Sequence, residues 1–208
     1  TTFYKGGIKG DERQFYDGLG RLVQTQTAKA EVDGVDKDII ATIAYDARGL
    51  EVCRAVPYGV TPPYQFNGST PFKTAACATQ SRTPTTYDTL GRVTEVTTPD
   101  GAVTETSYSV STNVIVDGRS RLMRAFVYDA NDHLRVNYTD VFGRLALARE
   151  YEGNSPPYTA YADTRYSYDV TGNLTAVKKS EAGNDQPALW QTTMNYDNLG
   201  RKTSMSDP

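Results

Sequence analysis

The sequence has 208 residues, a formal net charge of −3 and a hydrophobic fraction of 38%, and tyrosine (15 residues) outnumbers phenylalanine (6) and tryptophan (1). It has no long basic block, which argues against a nucleic-acid partner, and no apolar run of the roughly 20 residues that a membrane helix needs. Tyrosine and β-branched threonine favour half-buried strands. The composition therefore predicts an all-β protein in which this segment does not insert into a membrane.

A Tyr-Asp-x-x-Gly-Arg motif recurs along the whole chain. Its copies, complete or partial, are Tyr16, Asp17, Gly20 and Arg21; Tyr45, Asp46 and Gly49; Tyr87, Asp88, Gly91 and Arg92; Tyr128 and Asp129; Asp140, Gly143 and Arg144; Tyr168, Asp169 and Gly172; and Tyr196, Asp197, Gly200 and Arg201. A weaker copy begins at Asp117. Successive motif aspartates are 29, 42, 29, 12, 11, 29 and 28 residues apart. The recurrence near 29 indicates an internal repeat.

Each residue type in the motif suits one position of a tight hairpin. Aspartate is favoured at the first position of a type I turn, where its carboxylate accepts a backbone N–H. Glycine at the fourth position adopts positive φ and forms a bulge that lets the strands leave with the correct twist. Asp132 stands where glycine is expected in one copy, and aspartate tolerates this conformation at modest cost. We expect the arginine to pair with a neighbouring motif aspartate and to cover the tyrosine ring with its stem.

The segments between the motifs predict strands and two breaks in the repeat. Strand candidates are 39–45, 92–98, 102–108, 121–128, 133–139, 144–151, 173–179 and 189–196, with little or no helix expected. The Pro-rich residues 57–85 predict a long inserted loop, and 152–164 predict a shorter one. Tyr64 and Tyr158 in these loops are candidate ligand contacts, although anchoring of the loop against the sheet is the favoured interpretation.

Residues with catalytic or metal-binding potential are few. The motif aspartates have a structural role in their turns, and His133, the only histidine, has no obvious partner as a general base. Cys53 and Cys77 lack the companions of a metal site. They are either two free small hydrophobic residues or one disulfide, which requires an oxidising compartment. We therefore predict no enzyme activity, no cofactor and no metal.

The spaced motif resembles the YD repeats of the Rhs superfamily, which includes bacterial Rhs toxins, the B and C components of insecticidal toxin complexes, and teneurins. The resemblance extends from about Tyr16 to Arg201. It implies tandem antiparallel β-hairpins that form a continuous spiralling sheet, part of a hollow shell that encloses a C-terminal effector in the bacterial toxins. Both ends of the sequence suggest a segment of a longer protein, so residues 1–208 are expected to be one piece of such a wall.

The sequence is compatible with two functions. The first is a non-catalytic wall segment of a secreted or surface-delivered bacterial shell, whose partners are the other repeats of the same polypeptide and an enclosed cargo. The alternative is a cell-surface module that binds a glycan or a protein through the loops around Tyr64 and Tyr158.

Overall fold

The structure, a computed structural model, describes residues 2–5, 8–32, 35–60, 76–116, 118–183 and 190–207. Within these residues it has sixteen β-strands and one four-residue helix. The strands pair antiparallel throughout these residues. The predicted all-β class of tandem antiparallel hairpins is confirmed. The chain divides into two units, residues 1–103 and residues 104–208.

The first unit is a ladder of short and long strands. Its elements are β1 (Thr2–Lys5), β2 (Ile8–Tyr16), β3 (Leu22–Val32), β4 (Val35–Tyr45), β5 (Glu51–Ala55), β6 (Tyr58–Val60), α1 (Ala76–Thr79), β7 (Arg82–Tyr87) and β8 (Val93–Thr97). The strand order is β1-β2-β3-β4-β5-β7-β8, and β6 pairs with β4. The helix α1 lies against β4 and β5.

The second unit is a simple up-and-down ladder. Its strands are β9 (Val103–Ser111), β10 (Leu122–Tyr128), β11 (Leu134–Thr139), β12 (Leu145–Glu152), β13 (Thr159–Tyr168), β14 (Leu174–Glu181), β15 (Trp190–Tyr196) and β16 (Lys202–Ser206). Their order in space equals their order in the sequence. Because neighbouring strands run in opposite directions, successive turns lie at alternate ends of the ladder.

This alternation places the motif turns. In the first unit, the turns that begin at Asp17, Asp46 and Asp88 lie at one end of the ladder. In the second unit, the turns at Asp140, Asp169 and Asp197 share one end. We call this end the motif edge of each unit. The turn at Asp129 lies at the opposite end, which accounts for the short spacings of 12 and 11 residues on either side of it.

Apolar packing is concentrated around β10, β11 and β12. On β11, Leu134, Val136 and Tyr138 are buried while Arg135 is exposed, which is the period of two expected for a strand with one covered face. These side chains form a cluster with Leu122, Leu147 and Val116 of the preceding connection. Complete burial of a side chain of this size contributes about 1.5–3 kcal/mol.

The core of the first unit is more polar. Gln24 is 1% exposed and donates its side-chain amide to the Thr42 hydroxyl across the strand pair, at 3.0 Å. Gln26 in turn donates to the Gln24 side-chain oxygen at 2.8 Å. Ile40 and Ala55 are the most buried apolar residues here, each 1% exposed. A polar side chain is tolerated inside only where it is hydrogen-bonded, and these amides satisfy one another.

The predicted strands agree with β4, β8 to β12, β14 and β15 to within a few residues at their ends. The loop predicted for 152–164 was wrong from Thr159 onward, because β13 begins there. The Pro156-Pro157 pair interrupts the ladder only between β12 and β13. Of the predicted insertion 57–85, residues 61–75 lie outside the described part of the chain. The remainder holds β6, α1 and the start of β7.

Candidate functional site

The first motif turn shows how the aspartate closes each hairpin. One Asp17 carboxylate oxygen, Oδ1, accepts the backbone N–H groups of Leu19 and Arg21 at 2.9 and 3.0 Å. The Gly20 N–H donates to the Asp17 carbonyl at 3.0 Å, and φ of Gly20 is 78°. The register shifts at Tyr16, which marks a bulge. This is the turn and bulge that the motif predicts.

The same geometry recurs in the other six described motif turns. Oδ1 accepts the N–H groups of the second and fourth following residues at Asp46, Asp88, Asp129, Asp140, Asp169 and Asp197. The fourth turn residue has positive φ at Gly49, Gly91, Gly143, Gly172 and Gly200. Asp132 replaces glycine with φ of 61°, as anticipated for the one motif without it.

A cation usually neutralises the second carboxylate oxygen, Oδ2. It comes from the arginine four residues on at Asp17, Asp88, Asp140 and Asp197, with Nε–Oδ2 distances of 2.7 to 2.9 Å. These four arginines therefore pair with the aspartate of their own turn, and the expected pairing with a neighbouring motif aspartate was wrong for them. At Asp46 the partner is Arg48, a residue within the turn, whose Nε lies 2.9 Å from Oδ2. At Asp129 it is His133, whose Nδ1 lies 3.3 Å from Oδ2. At Asp169 the partner is the neutral Asn173, at 2.9 Å.

These contacts favour the ionised aspartates. At Asp17 the Arg21 backbone N–H is the largest cause of a pKa below the ordinary value. At Asp140 burial raises the pKa, but the hydrogen bonds from Arg144 and from backbone N–H groups outweigh it, so the pKa is lowered. At Asp169 the side-chain hydrogen bonds from Asn173 and Thr171 lower the pKa to about 2. A carboxylate whose pKa lies far below neutral is a weak base, so it is poorly suited to general-base catalysis near neutral pH.

The motif tyrosine joins one hairpin to the preceding one. The Tyr45 hydroxyl donates to the Leu22 carbonyl at 3.1 Å, and Leu22 stands five positions after Asp17. The same pairing recurs from Tyr87 to Glu51 at 2.7 Å, from Tyr168 to Leu145 at 2.9 Å and from Tyr196 to Leu174 at 2.9 Å. We call this contact the tyrosine latch.

Arginine reinforces the latch in two of these pairs. The Arg21 guanidinium carbon lies 4.6 Å from the centre of the Tyr45 ring, and that of Arg144 lies 4.7 Å from the Tyr168 ring. Each arginine therefore bridges its own aspartate and the tyrosine of the next repeat. Gly49 leaves room for this approach, because a Cβ atom there would meet Arg21 Nη1 at 2.9 Å. The expected covering of the tyrosine ring by arginine is present at these two positions.

The other candidate residues have different surroundings. Tyr16 is 56% exposed, and its hydroxyl donates to Gln14 on its own strand. Tyr158 donates its hydroxyl to the Asp132 carbonyl at 3.1 Å, and its ring centre lies 5.9 Å from that of Tyr128. This contact ties the β12–β13 connection to the turn at Asp129. Tyr64 lies outside the described residues.

The sequence left the pairing of Cys53 and Cys77 open, and it did not indicate the buried ion pair at Asp163. Cys53 and Cys77 form a disulfide with a Cα–Cα distance of 6.2 Å, which joins β5 to α1. Asp163 is completely buried and binds Arg149 through two hydrogen bonds of 2.7 and 2.8 Å, with Arg165 at 3.5 Å. Burial raises the pKa of Asp163, but the Arg149 hydrogen bonds, the Gly183 N–H and the arginine charges lower it overall.

Over the described ranges, no three histidine, cysteine or acidic side chains come together in a way that suits a metal ion. Within that part of the chain, no helix has the length and apolar character needed to cross a membrane.

Solved structures with a similar fold come from Tc toxins. The "Crystal Structure of TcdB2-TccC3-TEV" matches 96% of this chain at 16% identity with a TM-score of 0.60. The structure of TcdB2-TccC3 without its hypervariable C-terminal region matches 96% at 17% identity, with a TM-score of 0.57. The Photorhabdus luminescens Tc holotoxin pore matches 96% at 16% identity, with a TM-score of 0.58. The resemblance to the Rhs/YD-repeat superfamily is confirmed at the level of the fold.

The chain spans only 11% of the length of each of these three structures. No curated protein sequence matches it. A family model described as "Domain of unknown function (DUF6443)" matches residues 7–112, which is about half of the 208 residues. The chain belongs to this family, the domain of unknown function DUF6443.

Proposed function

We propose that this chain is a non-catalytic wall segment of a secreted or surface-delivered bacterial YD-repeat shell that encloses a cargo polypeptide. The single observation that carries the proposal is the tyrosine latch. It joins the hairpin at Asp46 to the one at Asp17 and the hairpin at Asp88 to the one at Asp46. In the second unit it joins Asp169 to Asp140 and Asp197 to Asp169 in the same way. The contact joins a side-chain hydroxyl to a backbone carbonyl of the preceding hairpin. It forms at a sequence separation of 36 residues for Tyr87 and of 22 or 23 residues for the others, so it tolerates connections of different length.

A latch of this kind makes an extended wall. The hairpins at Asp46 and Asp169 each supply a tyrosine hydroxyl to the hairpin before them and a backbone carbonyl to the hairpin after them, so the contact can be repeated along the chain. Such nearest-neighbour contacts are typical of repeat architectures, whose stability is approximately the sum of repeat and interface contributions. A structural wall is the function that this arrangement supports best.

The motif aspartates support a structural role over a catalytic one. Each of the seven described turns uses Oδ1 for two backbone N–H groups and Oδ2 for a side chain of the same turn. These contacts give each aspartate a role in holding its own turn together. The Cys53–Cys77 disulfide fits delivery to an oxidising environment outside the cytosol.

The Tc structures support the wall interpretation through their extent. The match covers 96% of this chain but only 11% of each Tc chain. That is the relation expected between a segment and a large repetitive assembly. The alternative of a glycan- or protein-binding module finds no support in Tyr158, because its hydroxyl and ring already anchor a connection within the sheet.

Limited proteolysis of the full-length polypeptide that carries this segment tests the proposal. We expect the cargo to resist cleavage in the native protein and to become sensitive at a lower urea concentration when Tyr45, Tyr87, Tyr168 and Tyr196 are all replaced by phenylalanine. Tyr16→Phe is the matched control, because its hydroxyl bonds within its own strand. Cargo that is cleaved in the native protein as rapidly as the isolated cargo would refute enclosure.

A further inference from the structure

A groove lies between two consecutive motif turns of the second unit, those at Asp169 and Asp197. Its volume is about 680 Å³, and its lining includes Asp169, Asn173, Met194 and Tyr196. Leu199 in the second turn is 78% exposed and forms part of the wall of the groove. The groove is therefore open to solvent and combines a carboxylate with an aromatic ring.

The chain shows elsewhere what fills the equivalent space. Between Asp17 and Tyr45, the Arg21 guanidinium binds Asp17 Oδ2 at 2.7 Å and lies 4.6 Å from the Tyr45 ring centre. Arg144 occupies the same place between Asp140 and Tyr168, with distances of 2.7 Å and 4.7 Å.

The residue directly after the motif glycine, which is Arg21, Arg144 or Asn173, occupies the same position in each repeat. In all three pairs, this side chain is the nearest neighbour of the next motif glycine. A Cβ atom on Gly49 would meet Arg21 at 2.9 Å, one on Gly172 would meet Arg144 at 3.9 Å, and one on Gly200 would meet Asn173 at 3.6 Å. Asn173 is thus the counterpart of Arg21 and Arg144, but its side chain is shorter and uncharged.

Because Asn173 stands where the other two repeats have arginine, the groove as the described residues form it contains a carboxylate without a counter-charge and an aromatic ring without a guanidinium over it. Asn173 donates to Asp169 Oδ2 at 2.9 Å but brings no positive charge, and within the described ranges Asp169 has no ion-pair partner. The hydrogen bonds that it receives hold the pKa of Asp169 at about 2, so the carboxylate is ionised. Among the described side chains, no guanidinium lies over the Tyr196 ring.

We propose that this groove binds an arginine side chain of another polypeptide segment, seated between the Asp169 carboxylate and the Tyr196 ring as Arg21 and Arg144 are seated in their own repeats. The incoming guanidinium would donate to Asp169 Oδ2 and stack on the aromatic face. Arginine suits this position better than lysine, because its planar group pairs with a carboxylate and stacks on a ring at the same time. The proposal rests on the geometry of two neighbouring turns and does not depend on the shell function.

Binding of short peptides to the full chain tests this assignment. The probe is acetyl-Gly-Arg-Gly-amide, followed by two-dimensional NMR of the ¹⁵N-labelled protein. We expect saturable shifts at Gly172, Asn173 and Gly200, and none at Gly20 and Gly49, which flank the groove already filled by Arg21. The citrulline peptide has the same shape without the charge and should bind at least about tenfold more weakly, as expected for loss of a charge-assisted hydrogen bond.

Two variants separate the proposed site from general attraction to an acidic protein. Asn173→Arg should fill the groove from within and abolish the shifts, while Asp169→Asn should weaken binding at least about tenfold. If the latter variant does not fold, the former still decides, because it restores the motif residue. Equal binding of the citrulline peptide, unchanged binding to Asn173→Arg, shifts spread over both grooves, or no saturable shift at all would each overturn the proposal.

Discussion

The tyrosine latch predicts a stability change that a single oxygen atom controls. Tyr168→Phe removes the hydroxyl that donates to the Leu145 carbonyl at 2.9 Å and leaves the ring and the Arg144 contact in place. The net contribution of such a hydrogen bond is about 1 kcal/mol. The four latches join different pairs of hairpins, so their effects should be nearly additive. Replacing Tyr45, Tyr87, Tyr168 and Tyr196 together should therefore lower the free energy of unfolding by about 4 kcal/mol.

Urea unfolding of the full chain, followed by circular dichroism, measures this change. Tyr16→Phe is the control, because this motif tyrosine bonds to Gln14 two residues away and not to another hairpin. We expect the control to differ from wild type by less than about 0.5 kcal/mol. If Tyr16→Phe is as destabilising as Tyr168→Phe, or if the fourfold variant unfolds at the urea concentration of the wild type, the latch does not hold the repeats together.

Three further predictions concern the disulfide, the buried ion pair and the response to acid. Replacing Cys53 and Cys77 by serine should lower the free energy of unfolding by about 3.5 kcal/mol, because the bridge closes a loop with a sequence separation of 24; urea unfolding of oxidised and reduced wild type should differ by a similar amount. Asp163→Asn should cost about 3–5 kcal/mol, since it leaves Arg149 buried without its counter-charge. The double change Asp163→Leu with Arg149→Met should recover most of that loss in the same assay, and failure to recover would refute an electrostatic cause. The Asp169 carboxyl has a folded pKa of about 2 against 3.8, so its stabilising effect is complete above pH 3.8 and disappears as the pH falls toward 2; melting temperatures measured from pH 7 to pH 2 should fall in that window, and less so in Asp169→Asn.

Local chemistry made the turns predictable from the sequence. Aspartate at the first position and glycine at the fourth specify the turn through contacts that span only four residues, so Asp17 and Gly20 are found as predicted. The same reasoning anticipated positive φ at Asp132. Assigning turns to the two ends of the ladder requires counting strands, and the sequence predicts a loop where β13 begins. The strand order in the structure places the Asp129 turn at the end opposite to the motif edge.

The remaining features depend on register between distant strands. Arg149 and Asp163 are directly opposite across β12 and β13, and a shift of one residue would place Asp163 on the other face of the sheet. Nothing in the local sequence fixes that register. The Cys53–Cys77 bridge has the same limitation, because pairing needs a particular Cα separation that the sequence does not contain. The groove at Asn173 becomes visible only when its neighbours are compared in space with Arg21 and Arg144.

The irregular spacing of the motif follows from where the latch acts. Tyr45, Tyr168 and Tyr196 reach carbonyls 23, 23 and 22 residues earlier, whereas Tyr87 reaches back 36 residues to Glu51. The longer chain between Asp46 and Asp88 includes the connection from β5 to β7, which leaves the ladder at the end opposite to the motif edge. An insertion there lengthens the connection without changing which strands are neighbours, and the 2.7 Å latch is retained. Insertions in the β5–β7 connection should therefore be tolerated, whereas one residue added between Asp88 and Gly91 would break the turn hydrogen bonds.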